Sequence, residues 1–463
     1  MPIGQPSVGP AADAAAIHSG GLRSRMCPIM ASFYDLPPEL VESVASFLWL
    51  SEDLCSLRLT CRYFYLSTLR YFRKSQFETV SVDLYLSSLH RLEGLCTRPD
   101  LVRNIQRLVI WTKWTAERAV ETKQFWQRYP SGRLIMSQAI IRRWRAVIER
   151  LVCCRSFCIY HRTDPPGSYW DPDLTTDDEY EPVWRVSLSV SDIVAIMLNI
   201  FSASQIPVLS FALGCGRYFS KNPGHQIDTT RLDPVLLRTA NFKYAWSNLT
   251  ALVLESEITG SSTVQFATSL VQAATRLRRL TINFDHGHDA LALMEQLSCT
   301  DFEFQLEEIH FEAGWLGSGE YLERFLLKHD RTLWTLSLVL IGLRQEAWVP
   351  MLKSLTDLRA LRAFRLVCPT ASEADKKSCV KFPNVEKNCI VDEASGTQFK
   401  YRRFWFHESH MTMVSYRGSK MKVALQTLVD GIEFAPKRDL SSTESFKSID
   451  QRRMSVSSMG VWD

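Results

Sequence analysis

Asp285-His286-Gly287-His288-Asp289 brings two imidazoles and two carboxylates within five residues, donors that would suit a divalent metal such as zinc. A metal-dependent hydrolase could be built around His286 and His288, but no further ligands stand at a recognisable spacing, and the stretch falls where a polar turn follows a strand. His407-Glu408-Ser409-His410 is one residue shorter than the H-e-x-x-H pattern of zinc proteases and lies in a strand-like segment, whose alternation would split its ends. Cys153, Cys154 and Cys158 resemble a chelating set until strand alternation is applied. Cys154 then points inward with Phe157 and Ile159 while Cys158 points outward, so one ion cannot reach both faces. No Gly-rich phosphate loop and no G-x-S-x-G elbow occurs. The residues therefore predict no catalytic constellation, no metal and no cofactor.

The elements that carry these residues belong to an ordinary folded chain. Its 463 residues are 46% hydrophobic and 22% charged, with a formal net charge of +4. So small an excess argues for neither nucleic acid nor a membrane surface as partner. No run approaches the ~18 apolar residues of a spanning helix, and the N-terminus lacks the basic-then-apolar order of a secretory signal. Twelve scattered cysteines then read as reduced thiols in cytoplasm or nucleus. Residues 1–32 are small and polar, 436–463 are Ser-rich with mixed charge, and both predict disordered tails.

Between the tails the pattern L-x-x-L-x-L recurs from Leu249, Leu277, Leu306, Leu333 and Leu361, at spacings of 28, 29, 27 and 28. Weaker copies begin at Phe77, Ile105, Cys154, Val183 and Ile206. Apolar residues at positions 4 and 6 of each unit have the period of a strand, and stretches such as 262–277 and 319–330 have that of an amphipathic helix. One short strand and one helix per unit cannot bury a core alone, but stacked copies can. Residues 77–370 thus resemble the leucine-rich-repeat family in its longer-repeat form. The resemblance implies an α/β solenoid, irregular here, with parallel strands on the concave face and helices outside. The Asn or Cys that the family often carries after the strand is mostly missing. Insertions are expected at about 112–150, where residues 137–151 read as a helix opposing Ile141 and Trp144 to several arginines, and at 161–182, a Pro- and Asp-rich loop. A C-terminal cap is expected from about 380, with a strand pair over 399–417 and a helix over 421–432.

Residues 33–76 read differently. Pro38 suits the first position of a helix, and Leu40, Val44, Phe47 and Leu48 then share one face. Ser51, Glu52 and Asp53 read as an N-cap with first-turn acids, and a third helix starts near Thr60. Leu36, Pro37, Val41, Trp49, Leu50 and Leu59 remain as apolar side chains beyond these stripes, which points to docking. Leu36-Pro37, Glu39-Leu40, Val44, Phe47-Leu48, Leu54, Leu57, Leu59, Cys61-Arg62 and Phe64 together resemble an F-box. Where that family often has Trp near the last aromatic, this chain has Tyr63-Phe64-Tyr65. The resemblance implies a short three-helix module that binds the Skp-type adaptor of a cullin–RING ubiquitin ligase through Leu36, Pro37, Leu40, Val44, Leu48, Leu54, Leu57 and Leu59. The alternative on the same residues is a helical cap of the solenoid.

Strand alternation also places positions 3, 5 and 7 of each unit on the face away from the helices. Glu255, Arg279, Asn283, Glu308, His310, Glu312 and Arg365 are the polar candidates there for binding a protein substrate. The expectation from sequence is a substrate-recognition subunit of an SCF-type ligase, without chemistry of its own. A repeat scaffold with no ligase role is the alternative.

Overall fold

The computed structural model of the chain describes residues 36–48, 50–112, 125–129, 133–161, 188–215, 227–255, 260–284, 289–373, 376–387, 390–406 and 409–436. The cluster at 285–288, the acidic loop, His407-Glu408 and both tails lie outside these residues. The described residues form fifteen α-helices and seventeen strands, and the chain divides into two compact units, Met1–Phe72 and Arg73–Asp463.

The first unit begins with α1 (Pro38–Ala45), α2 (Ser51–Thr60) and α3 (Arg62–Ser67); α4 (Leu69–Phe77) spans the division. The expected third helix is therefore two, parted at Thr68. Pro38 does start α1, since its missing N–H costs nothing there. Ser51 is not the N-cap of α2: Leu50 holds that position, without a side-chain cap, and Ser51 is the first helical residue. Cys61 caps α3, its Sγ accepting from the Phe64 N–H at 3.5 Å. Arg58 is buried, donates to the Tyr65 carbonyl at 3.0 Å and Thr68 Oγ1 at 3.1 Å, and lies over the Tyr65 and Phe72 rings. A guanidinium tolerates such burial because its planar fork can be satisfied in the plane and stacked out of it.

The second unit is built on one eleven-stranded sheet, ordered β1-β2-β3-β4-β5-β6-β7-β8-β10-β16-β15. Its strands are β1 (Thr79–Val82), β2 (Arg107–Thr112), β3 (Ser156–His161), β4 (Ser210–Cys215), β5 (Ala251–Glu255), β6 (Arg279–Asn283), β7 (Glu308–Glu312), β8 (Thr335–Val339) and β10 (Ala363–Val367), all parallel. The antiparallel pair β15 (Lys400–Phe406) and β16 (Ser409–Arg417) closes the series. The leucines at positions 4 and 6 meet in register (Leu252 with Leu280, Ile309 with Leu336, Leu336 with Phe364) and are buried in one continuous core. That core also takes the inner faces of α5 (Leu86–Cys96), α7 (Gln138–Arg150), α8 (Val190–Ala203), α10 (Ser261–Ala273), α11 (Ala290–Cys299) and α12 (Glu320–Leu327), with α6 (Pro99–Val102) and α9 (Ala240–Trp246) between them in sequence. The expected helix over 137–151 is α7, and it packs between α5 and α8 as a member of the helical layer rather than as an insertion outside it.

One backbone ladder fixes the frame of every repeat. The N–H of Gln106 donates to the Glu78 carbonyl, Arg155 to Gln106, Leu209 to Arg155, Thr250 to Leu209, Arg278 to Thr250, Glu307 to Arg278, Trp334 to Glu307 and Arg362 to Trp334, all at 2.7 to 3.1 Å. Each donor is position 2 of its unit. The ladder places the fourth unit at Val208, two residues beyond Ile206. β3 pairs directly with β4, and the unit expected at Val183 falls outside the described residues. The misreading at Ile206 arises from local alternation that fits the pattern without occupying the ladder.

After β7, β8 and β10 the chain turns through Ala313, Leu340 and Cys368, at φ of 58°, 54° and 50°. Beyond these corners runs a second sheet, β17-β12-β11-β9, that the sequence did not signal. It comprises β9 (Gly342–Arg344), β11 (Thr370–Glu373), β12 (Lys376–Lys381) and β17 (Glu433–Pro436). Gly342 is needed there, because a Cβ would lie 2.6 Å from the Trp315 ring. The remaining elements are α13 (Trp348–Ser354), α14 (Pro383–Glu386), the pair β13 (Ile390–Asp392) and β14 (Thr397–Gln398), and the closing helix α15 (Met421–Asp430).

Candidate functional site

In the first unit, α1 is rotated relative to the stripe read from its sequence. Val41 and Ala45 are buried, whereas Leu40 (52%), Val44 (56%) and Phe47 (72%) are exposed. Leu50 and Leu59 (85%) are also exposed, Pro37 is open to solvent, and Leu36, Leu48 and Leu57 are half-buried. Leu54 is 2% exposed, so it serves the packing of the chain and is not presented to a partner. Tyr63 Oη donates to the Leu36 carbonyl and holds the first residues of the module in place. Seven of the seventeen exposed large apolar side chains among the described residues fall between Leu40 and Leu66. That is a concentration of exposed apolar surface in a short stretch.

In the second unit, Glu255, Arg279, Asn283, Glu308, His310, Glu312 and Arg365 all lie on the sheet face opposite the helices. Parallel register sets Arg279 beside Glu308, Asn283 beside Glu312, and His310 beside Ser337, with Arg365 on the next strand. His310 Nε2 is 3.5 Å from Glu312 Oε2, and Arg365 Nη2 reaches Met413 Sδ at 3.9 Å. Burial lowers the pKa of Arg365, and the carboxylate of Glu312 opposes that shift. From β5 to β7 the face is at least partly open at Val253, Glu255, Arg279, Thr281, Asn283, Glu308 and His310, but Ala251 and the candidate Glu312 are already buried. At β8 and β10 it closes: Thr335, Ser337, Val339, Ala363 and Val367 are buried, where an exposed surface was expected. Val339 and Val367 pack there with Cys368, Cys379 and Met413, and Thr412 Oγ1 donates to the Val380 carbonyl, so the C-terminal elements cover that end.

The same face carries an apolar part at its other end that was not singled out from sequence. Val109, Cys158 and Ala212 are buried beneath Trp111, Tyr160 and Val253, and the rings of Trp111 and Tyr160 are 5.4 Å apart. Gly214 leaves room for the Tyr160 ring, since a Cβ there would sit 2.7 Å from it. Burial, with the charge of Glu255 among the further causes, pushes the Tyr160 hydroxyl up to about 12. Positions 5 and 7 of the upstream units hold these residues, so the alternation rule that found Glu255 would have found them.

Of the metal-like clusters, residues 285–288 and 407–408 lie outside the described residues. Asp289 accepts from the Gly260 N–H at 2.6 Å, a contact between the N-cap positions of α10 and α11. Cys154 is buried on the helix side, where burial pushes its thiol up to about 12, and Cys158 lies on the opposite face. Among the described residues no group of three or more His, Cys, Asp or Glu could hold a metal ion, and no helix is long and apolar enough to cross a membrane. A hollow of about 550 Å³ before strands β4 to β7 is lined by Asn248, Thr250, Arg276, Arg278 and Glu303 among others, and contains none of the candidate residues. No protein-family model matches the chain, and no curated protein matches its sequence.

Proposed function

We propose that this chain is the substrate-recognition subunit of an SCF-type ubiquitin ligase. Its first unit acts as an F-box that docks on a Skp-type adaptor, and its second, a leucine-rich-repeat-like solenoid, holds the protein to be modified. The observation that carries the reading is the exposed apolar surface of Leu40, Val44 and Leu59 on α1 and α2 and of Phe47 and Leu50 in the link between them, in the stretch whose sequence resembles an F-box. The chain then performs no bond chemistry. It raises the effective concentration of the target beside the ubiquitin carried by the rest of the ligase. Glu255, Arg279, Asn283, Glu308 and His310 face the target, with the buried Glu312 and the half-buried Arg365 of β10 at the border of the closed end, which limits contact to the strands before it.

Co-expression with a Skp-type adaptor tests this. A stable complex that incorporates a cullin–RING core supports the ligase role. A complex with the adaptor that excludes the core would favour a repeat scaffold without ligase role, and no complex at all would overturn the docking assignment.

A further inference from the structure

Helices α5, α6 and α7, with the turns that end them, carry Arg91, Arg98, Arg103, Arg142, Arg143, Arg145 and Arg150 against Glu93, Asp100 and Glu149. Seven arginines against three carboxylates leave an excess of four, equal to the formal excess of the whole chain. All but Arg145 are exposed. α5 packs against both α6 and α7, and Arg143 bridges to Glu93 at 2.9 Å, so the three helices present one surface. Each carboxylate is already engaged: Glu93 by Arg143, Glu149 by Arg145 at 2.7 Å, and Asp100 by Arg73 at 3.0 Å and Arg98 at 3.7 Å. Arg91 and Arg142 donate to the Ser81 and Gln138 carbonyls, and Arg103 and Arg150 meet no carboxylate among the described residues.

We propose that this arginine surface is a docking site for an acidic segment of a partner protein, distinct from the open face of the sheet. Three features select that occupant. The described residues of these helices hold no lysine, and guanidinium is the cation whose fork matches an oxyanion, carboxylate or phosphate, bidentately. The three resident carboxylates interrupt the positive surface, which suits spaced acidic side chains better than the unbroken charge of a phosphate backbone. Val152, in the turn after α7, is the one exposed large apolar side chain among the described residues of this surface, too little to anchor it in a bilayer or to form a platform for stacked bases.

The test uses the full chain and a fluorescent Glu-rich peptide, with single-stranded RNA and phosphatidylserine vesicles as competing probes. The intact chain binds the peptide, and binding weakens as salt rises. Arg103→Glu/Arg142→Glu/Arg150→Glu weakens it at least tenfold, whereas Arg276→Glu/Arg331→Glu/Arg359→Glu, the same charge change elsewhere, alters it less than twofold. Unchanged melting temperatures show that both variants fold. Equal loss in both triple variants, no loss in the first, or tighter binding of RNA or vesicles than of the peptide overturns the proposal.

Discussion

Arg128 grips the buried carboxylate of Asp192 through two hydrogen bonds, Nη2 to Oδ2 at 2.7 Å and Nη1 to Oδ1 at 3.3 Å. Asp192 is also the N3 residue of the capping box that opens α8, accepting from the Ser189 N–H and hydroxyl at 2.9 Å each, and Arg231 lies 3.6 Å away. The short segment 125–129 is thereby tied to the helical layer, with Trp126 Nε1 donating to the Leu84 carbonyl as a second anchor. Removing one partner of a buried pair leaves the other without compensation. Asp192→Ala should lower stability by about 3–5 kcal/mol in urea denaturation. Arg128→Met/Asp192→Leu should recover much of that loss. Equal loss in the single and double variants would show that the pair is not the cause.

His329 sets an acid limit on the fold. Its Nδ1 accepts from the Leu306 N–H at 3.4 Å, its ring stacks on Phe304, and Nε2 meets no hydrogen-bond partner. Burial, reinforced by the charge of Lys328, lowers its pKa from 6.5 to about 4. The unfolded chain therefore binds the proton more readily, so stability is full above pH 6.5 and falls as pH drops toward 4. The loss over that window is on the order of 3 kcal/mol from this residue. His329→Gln keeps an acceptor for Leu306 and should flatten the fall in melting temperature between pH 7 and 5. An unchanged slope would assign the effect elsewhere.

Ala313 occupies the left-handed corner after β7 with a Cβ, which costs roughly 1–2 kcal/mol relative to glycine there. Ala313→Gly should stabilise by about 0.5–1 kcal/mol once the extra chain entropy is subtracted, and the β-branched Ala313→Val should destabilise by about 2 kcal/mol or more. Thermal unfolding of both variants checks the pair of signs.

Leu54 and Leu59 separate packing from docking within one helix. Leu54 is buried and Leu59 is 85% exposed. Leu54→Ala should cost about 2–4 kcal/mol of stability, while Leu59→Ala should leave stability within about 0.5 kcal/mol. Calorimetric melting of both variants distinguishes them.

The five units from Leu249 to Leu361 were legible because their strands, helices and period agree. Each strand begins two residues after the first leucine, where the alternation placed it. The upstream units were harder. Ile206 heads an apolar alternation that satisfies the pattern, and only the hydrogen-bond ladder through Leu209 shows which frame the backbone uses. The second sheet was hidden because its strands are short and its left-handed corners are Ala, Leu and Cys, not the Gly or Asn that signal such turns. In the first unit the composition pointed to docking, but an eight-residue helix offers two turns of evidence, too little to decide whether Val41 or Leu40 faces inward. The seven polar residues of the sheet face followed from alternation alone. The burial of that face at β8 and β10 depends on elements far away in sequence.

Titration of the intact chain with a purified Skp-type adaptor, beside Leu40→Ala/Leu59→Ala, tests the central claim most directly. Both side chains are more than half exposed, so their loss leaves the fold intact. Burying each against a partner is worth about 1.5–3 kcal/mol, so the intact chain should bind and the double variant should bind about a hundredfold more weakly or worse. Binding of equal strength by the two proteins, or no binding by the intact chain, would contradict the account.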